Sequence, residues 1–356
     1  PGMRRYVPRL AKRGRGVPRQ VVVRTDSEQV LPLLCEGVRE VAELRELPEA
    51  GTTEDDLCFA VHDASLLLHC YTPITPRVIA AAPKLRGIVK YGVGIDAIAL
   101  EACRAHGIPV ANVPFYGEET VAEGAFTLMI CVLKRVKPMV KRMERDGWAW
   151  PGEDTIMGDL AGRTVGLIGF GHIGRMFARM CLGFRMRVVA YDPYVEPEVI
   201  HHHGVESVGL DAAMASDVVS VHAVLSEETR GLVGRRELGL MPRHGVLVNV
   251  SRGPIVDERA LVEALLDGQL GGAGLDVYGE EPVLVAGHLM SPLLGMDNVV
   301  MWPHLAFWTR EARGRLEKEA LERCLEVLQG RPLRVLSKDP RLLMQREMPG
   351  CEVVQE

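Results

Sequence analysis

The chain has no C-x-x-C pair, no strong net charge, few aromatic residues and no apolar run near the ~20 residues of a membrane-spanning helix. Each absence narrows the field. Eight cysteines scattered through 356 residues (Cys35, Cys58, Cys70, Cys103, Cys131, Cys181, Cys324 and Cys351) lack the spacing of a zinc site or a disulfide framework. Most have apolar neighbours, which suits reduced, buried thiols in a cytoplasmic protein. A net charge of -5 gives no reason to expect nucleic acid or a membrane as partner. No 20–50-residue repeat and no low-complexity tract occurs. The opening PGMRRYVPRLAKRGRGVPRQ is basic without the apolar centre of a signal peptide, and it is expected to be a loosely ordered extension. His201-His202-His203 suggests a metal site at first sight. Adjacent side chains diverge on a helix or strand, so the three are expected on a solvated loop or helix end, and no metal is expected.

What is present suits two domains, and the chain is organised around TVGLIGFGHIGRMFARM, residues 164–180. The apolar run Thr164 to Ile168 meets Gly169-Phe170-Gly171-His172-Ile173-Gly174 and then a helical pattern, the context in which G-x-G-x-x-G signifies a dinucleotide turn. Gly169 permits the tight turn, Gly171 close approach of a pyrophosphate, and Gly174 close packing of helix on strand. Free amides at the helix start suit phosphate charge. A second strand, Arg187 to Tyr191, ends in Asp192, where such a fold places the carboxylate for the adenosine ribose. No arginine directly follows it, so NAD is expected in preference to NADP.

Before this stretch, strands are expected at Val21–Val23, Leu66–Leu68, Leu85–Tyr91 and Ile108–Asn112, with a helix over Pro76–Ala82. Thr120 to Lys137 reads as one long amphipathic helix with Glu118 and Glu119 near its positive end. Later strands are expected at Val218–His222, Val246–Val250, Gly272–Asp276 and Val299–Met301, and a last helix over Arg310–Gln329. From about Lys338 little pattern remains, and the tail is expected to be loosely held. The alternation argues parallel, doubly wound sheets.

Four ionisable residues stand at strand ends, where an open α/β sheet binds its ligand: Arg252, Asp276, Glu281 and His304. Arginine suits a planar carboxylate, and a histidine paired with a carboxylate suits proton transfer near neutral pH. With hydride from NAD, the set fits reduction of a 2-oxo acid to a 2-hydroxy acid.

At this point the sequence resembles the D-isomer-specific 2-hydroxyacid dehydrogenase family, from about Val21 to Leu336. The matching stretches are KYGVGID (90–96), NVPFYGEETVAE (112–123), LAGRTVGLIGFGHIG (160–174), VLVNVSRGPIVDERALVEAL (246–265), GGAGLDVYGEEP (271–282) and NVVMWPH (298–304). The resemblance implies that Arg252 holds the substrate carboxylate and polarises its carbonyl, that His304 gives the proton, and that Glu281 fixes the imidazole and favours its protonated form. It implies substrate contacts at Val93, Gly94 and Tyr71. For NAD it implies Gly169, Gly171, His172 and Ile173 at the pyrophosphate, Asp192 at the ribose, and His222, Ala223 and Val250 along the cofactor. Asp276 would contact the nicotinamide amide. Asn249, Ser251 and Asp257 are expected to shape the turn around Arg252, and Tyr71, Tyr116, Phe307 and Trp308 to offer an apolar wall.

Departures from the family pattern are Gly124 where a histidine often follows VAE, and Val224 where H-x-P-L has proline. The loop His69-Cys70-Tyr71-Thr72 lacks the family's Arg-Ser pair, and no room is left for the long enzymes' regulatory domain, so an unphosphorylated acid is expected. Glu281 argues against a formate dehydrogenase, which has glutamine there, and Val93 against a phosphonate dehydrogenase, which has lysine. YDPY (191–194) and Phe307-Trp308 also resemble the C-terminal-binding proteins, so an NAD-sensing corepressor-like protein is the rival of a different class. The expected architecture is two Rossmann-like or flavodoxin-like α/β domains with doubly wound parallel sheets. An NAD domain (114–304) is inserted into a discontinuous substrate domain (1–113 and 305–356). A homodimer through the helix Thr120–Lys137 is expected by resemblance.

Overall fold

The computed structural model describes residues 20–354, so the basic leader before Gln20 lies outside the described residues. Two compact units emerge: one runs to Tyr116 and resumes at Arg313, and the other is the continuous stretch Gly117–Ala312.

The first unit holds a five-stranded parallel sheet. Its strands are β1 (Val21–Arg24), β2 (Glu43–Glu46), β3 (Leu66–His69), β4 (Ile88–Lys90) and β5 (Val110–Ala111), in the order β2-β1-β3-β4-β5. β1 and β3 are buried along their whole length, which is why they read as unbroken apolar runs. The edge strand β2, ELRE, is partly exposed and escapes a reading by hydrophobicity, because one side of an edge faces water. The strand expected over 85–91 shortens to β4, and Gly92, at φ +140°, turns the chain away. Asp26 (φ 56°) organises the loop after β3: its carboxylate accepts the amides of Cys70 (3.0 Å), Tyr71 (3.1 Å) and Thr72 (3.0 Å).

The tail corrects the expectation of loose order. Its helix Pro340–Leu343 follows from an Asp339 cap on the Arg341 amide at 2.9 Å. Within the unit five strands become seven, for Leu333–Val335 and Cys351–Val353 pair in parallel as a separate two-stranded sheet. Gln345, 2% exposed, exchanges two bonds with the backbone of Val110, at 2.7 and 2.9 Å. A buried amide used in this way leaves no hydrophobic period in the sequence.

The second unit holds seven parallel strands. They are β6 (Thr164–Ile168), β7 (Arg187–Tyr191), β8 (Glu206–Ser207), β9 (Val218–Val221), β10 (Val246–Asn249), β11 (Gly272–Leu275) and β12 (Val299–Met301). The order is β12-β11-β10-β9-β6-β7-β8. The chain leaves β6 towards β7 and β8, then returns to β9 on the other side. β6 therefore marks the switch point, where ligands bind beyond the carboxyl ends of the strands.

The helix Glu118–Leu133 packs on the helix His172–Gly183 and on β10, β11 and β12. The glycines of GGAGLD make this possible. A Cβ at Gly272 would fall 2.6 Å from Val132, and one at Gly274 2.8 Å from Leu128. Leu128 and Met129 are fully buried, each worth roughly 1.5–3 kcal/mol of apolar transfer.

The single helix expected over Thr120–Lys137 breaks at Arg135 (φ 48°), and a second helix spans Val136–Asp146. The first helix is a core element of its own unit, with Val121, Phe126 and Ile130 partly buried against that core. Exposed apolar side chains lie on the segment that follows, at Val136, Val140, Met143, Trp148, Trp150, Ile156 and Met157. No helix among the described residues is long and apolar enough to cross a membrane.

Candidate active site

Because the strands of the second unit are all parallel, their carboxyl ends share one edge of the sheet. Gly169 follows β6, Asp192 follows β7, His222 follows β9, Val250 follows β10, Asp276 follows β11, and His304 comes shortly after β12. The structure thus gathers the expected nucleotide-side and proton-transfer residues of this unit along that edge. Tyr71, Val93 and Gly94 belong to the other unit, beyond the ends of β3 and β4.

The dinucleotide turn has the required shape. Gly169 (φ +100°) lies against the next strand end, since its Cβ would meet the Ala223 nitrogen at 2.6 Å. At Gly174 a Cβ would fall 2.6 Å from the Gly169 carbonyl oxygen, so helix and turn are in direct contact. Gly171, by contrast, faces open space. The first helical bond beyond it is donated by the Arg175 amide to the Gly171 carbonyl (3.0 Å), so the amides of His172, Ile173 and Gly174 precede the helical ladder. Open space beside such amides fits a pyrophosphate. The Asp192 carboxylate docks on the same turn, accepting the amides of Phe170 (2.7 Å) and Tyr194 (2.9 Å), with lone pairs to spare for hydroxyls. Glu118 reaches His172 Nδ1 at 3.3 Å. His222 is half-buried with its ring turned inward: its Nε2 shares a proton with Ser220 Oγ at 2.8 Å, and desolvation of the ring pushes its pKa down to about 3, which keeps it neutral. These residues fit NAD.

The proton-transfer pair is formed directly. His304 Nδ1 bonds Glu281 Oε2 at 2.8 Å, and Glu281 Oε1 accepts the Tyr278 amide at 2.9 Å. Burial would raise the Glu281 carboxyl, but the bond and charge of His304, the Tyr278 amide and the nearby Arg252 charge together hold it below its ordinary range.

His304 itself stands at φ 56°, a left-handed conformation that a histidine adopts at a cost. Asp276 holds it there. The His304 amide donates to the Asp276 carbonyl (2.8 Å), and the Asp276 carboxylate accepts the amides of Leu305 (2.8 Å) and Ala306 (3.0 Å). Burial pushes the Asp276 carboxyl up, and the two amides and His304 oppose this without cancelling it. Phe307 packs edge-on to the His304 ring with centroids 6.3 Å apart, and Trp308 edge-on to Phe307.

The turn around Arg252 is built as the sequence suggests. Asn249 Nδ2 donates to the Arg252 carbonyl (3.0 Å) and Asn249 Oδ1 accepts the Ser251 amide (3.1 Å). Ser251 Oγ bonds the Ala223 carbonyl, and Asp257 caps the helix Glu258–Leu266 by accepting the Ala260 amide at 3.0 Å.

In the other unit, Asn112 Nδ2 holds the Val93 carbonyl at 2.7 Å, and the Lys90 ammonium lies 5.1 Å from the Tyr71 ring. Tyr116, expected on an apolar wall, is 6% exposed. The histidine run falls at the end of the helix Pro197–His202, exposed. Among the described residues no group of three or more His, Cys, Asp or Glu is placed to hold a metal ion.

Three contacts escaped the sequence reading. Gly124 lies against the loop after His304, where a Cβ would fall 2.8 Å from that of Ala306. The Tyr278 hydroxyl donates to the Trp302 carbonyl at 2.7 Å. Glu258 accepts the Gly279 amide at 2.6 Å. The glycine where the family often has histidine was the one signal for the first; the other two are tertiary contacts with no local signature.

Known proteins resemble this chain over most of its length. The family description "D-isomer specific 2-hydroxyacid dehydrogenase, NAD binding domain" matches residues 126–306. A glyoxylate reductase of Korarchaeum cryptofilum is 37% identical over 286 residues, 79% of this chain and 85% of that protein. A D-3-phosphoglycerate dehydrogenase of Methanocaldococcus jannaschii is 34% identical over 303 residues, 84% of this chain but 56% of its own. The chain thus spans little more than half the length of that relative. Among solved structures, D-lactate dehydrogenase of Aquifex aeolicus, complexed with NAD and lactic acid, superposes with a TM-score of 0.79 at 28% identity, covering 87% of this chain and 96% of that one. The chain belongs to the D-isomer-specific 2-hydroxyacid dehydrogenase family and is an NAD-dependent enzyme of it.

Proposed function

We propose that the enzyme reduces a small unphosphorylated 2-oxo acid to its D-2-hydroxy acid, reversibly, with Arg252, Glu281 and His304 as its catalytic residues. The observation that carries this reading is the Glu281–His304 pair at 2.8 Å, on the same sheet edge as Arg252. NADH, when bound, supplies the hydride that reduces the carbonyl carbon. Arg252 binds the carboxylate with its planar guanidinium and draws electron density from the carbonyl. His304 gives a proton to the carbonyl oxygen from the ring nitrogen that Glu281 does not hold. Glu281, kept ionised, fixes the ring through its bond to Nδ1. In oxidation the same nitrogen takes the proton back.

The amides of Val93 and Gly94 and the side chain of Tyr71 are proposed as further substrate contacts. On the cofactor side the proposed contacts are Gly169, Gly171, His172, Ile173, Asp192, His222, Ala223 and Val250. Asp276 is proposed to act mainly by holding His304 in place. Three observations favour an unphosphorylated acid. The loop after β3 carries no arginine. Lys90 beneath it is 5% exposed and donates to the Cys70 carbonyl. Relatives matched over most of both chains include glyoxylate reductases and a hydroxypyruvate reductase. Eight free cysteines suit a reducing compartment such as the cytoplasm.

A homodimer is proposed through the exposed apolar segment 136–157. Sedimentation should give a dimer for the native chain and a monomer for Trp150→Glu, whose parent side chain is 79% exposed. A native monomer contradicts the proposal, and an undisturbed dimer in the variant contradicts the surface.

NADH oxidation should be followed with glyoxylate, hydroxypyruvate, pyruvate, phenylpyruvate and branched 2-oxo acids. At least one should turn over with NADH well ahead of NADPH, and Arg252→Ala and His304→Ala should each lose roughly 10²-fold or more in kcat/KM. Silence across the panel with NADH still bound contradicts the reading and favours a cofactor-sensing binder.

Glu281 has a pKa below its ordinary value, so it is already ionised above about pH 4.5 and does not set the acid limb of activity. In Glu281→Gln the ring loses the carboxylate that fixes Nδ1, and kcat for reduction should fall roughly tenfold or more, with the acid limb of its pH profile unmoved. Undiminished kcat, or an acid limb that moves in the variant, contradicts this reading.

A further inference from the structure

The residues proposed to bind the carboxylate and to move the proton leave different strands: Arg252 follows β10, whereas Glu281 and His304 follow β11 and β12. One peptide joins them. A Cβ at Gly253 would fall 1.9 Å from the Tyr278 carbonyl carbon and 2.2 Å from the Gly279 nitrogen, so the turn of Arg252 rests directly on the 278–279 peptide. Two successive amides of that turn each hold a carboxylate. The Tyr278 amide donates to Glu281 (2.9 Å), and the Gly279 amide donates to Glu258 Oε1 (2.6 Å). The fit at Glu258 is close, since a Cβ at Gly279 would come within 2.9 Å of its Oε2. The Tyr278 hydroxyl then reaches the Trp302 carbonyl, two residues before His304, at 2.7 Å.

We propose that Glu258 is a positioning residue: by holding the Gly279 amide it fixes the turn that carries Glu281, and so sets the proton-transfer pair against Arg252. The proposal rests on the roles given above to Arg252, Glu281 and His304. Glu258 is the first residue of the helix Glu258–Leu266, where any acid gains a little from the helix dipole. That alone would give it no influence on catalysis. Its geometry says more, because the carboxylate turns from its own helix to a peptide 21 residues away in sequence. Burial raises its carboxyl against the Gly279 bond, and His288 and Glu281 are the charged groups that act on it.

The test compares Glu258→Ala, Glu258→Gln, Gly279→Ala and the alanine double variant, each checked for NADH affinity and thermal midpoint. Glu258→Ala should lower kcat about tenfold or more with KM and NADH affinity within threefold, since a small misplacement near the chemistry is costly. Glu258→Gln keeps an oxygen for the Gly279 amide and should recover most of kcat. Gly279→Ala displaces the carboxylate and should resemble Glu258→Ala, and the double variant should be little worse than either, because both break one contact. A second readout does not need turnover. In protein labelled with ring-15N histidine, the His304 Nδ1 proton signal, assigned by its loss in His304→Ala, should persist in the native protein and Glu258→Gln and broaden or vanish in Glu258→Ala.

Unchanged kcat and an unchanged His304 signal in Glu258→Ala overturn the proposal. So does a loss of kcat that glutamine does not restore, or strict additivity in the double variant. If the native enzyme turns over no 2-oxo acid, the functional reading fails, while the histidine signal still decides the positioning.

Discussion

The turn that carries His304 depends on one buried carboxylate. Asp276 is 2% exposed, and its two oxygens accept the amides that follow His304 while its carbonyl accepts the amide of His304 itself. A left-handed histidine costs about 1–2 kcal/mol. Amide bonds to a charged acceptor are worth roughly 1.5–3 kcal/mol each, enough to offset it. The turn is therefore over-determined by one residue, and the imidazole leaves the end of β12 in a direction an ordinary extended residue would not give. Glu281 can then meet Nδ1 without carrying the whole burden of orientation.

Parallel strands supply the rest. With every strand of the second unit running the same way, residues more than a hundred positions apart in sequence arrive at one edge, and the return of the chain past β6 opens the place for the dinucleotide turn. Close backbone approach then locks the strand ends together: Gly169 against Ala223, Gly174 against the Gly169 carbonyl, and Gly253 against the Tyr278–Gly279 peptide. These contacts share one logic. A side chain at any of the three would separate elements whose spacing the site requires.

Much of this was legible in the sequence, for physical reasons. β9, β10 and β11 fall where the sequence shows its short apolar runs, because strands buried along their whole length are largely apolar. The motifs around Gly169, Arg252, Asp276 and His304 identified the family because chemistry restricts residue type more tightly than packing does. What escaped was tertiary or faced water. β2 is an exposed edge of alternating charge, Gln345 caps Val110 from 235 residues away, and the helix breaks at Arg135, three residues ahead of Pro138, which sits in the first turn of the next helix. Asp276 shows a subtler limit. Its position at a strand end was plain, but nothing in the sequence showed that both its oxygens would bond the backbone of the His304 turn.

Asp276→Asn therefore tests the central claim most directly. The amide would keep one acceptor and set an N–H against the other backbone donor, loosening the turn. With kcat and NADH affinity measured together, kcat should fall by roughly 10²-fold while the dissociation constant of NADH stays within about threefold. Undiminished kcat in the variant, or lost NADH binding with full turnover at saturation, would contradict the account and return Asp276 to the role of a cofactor contact.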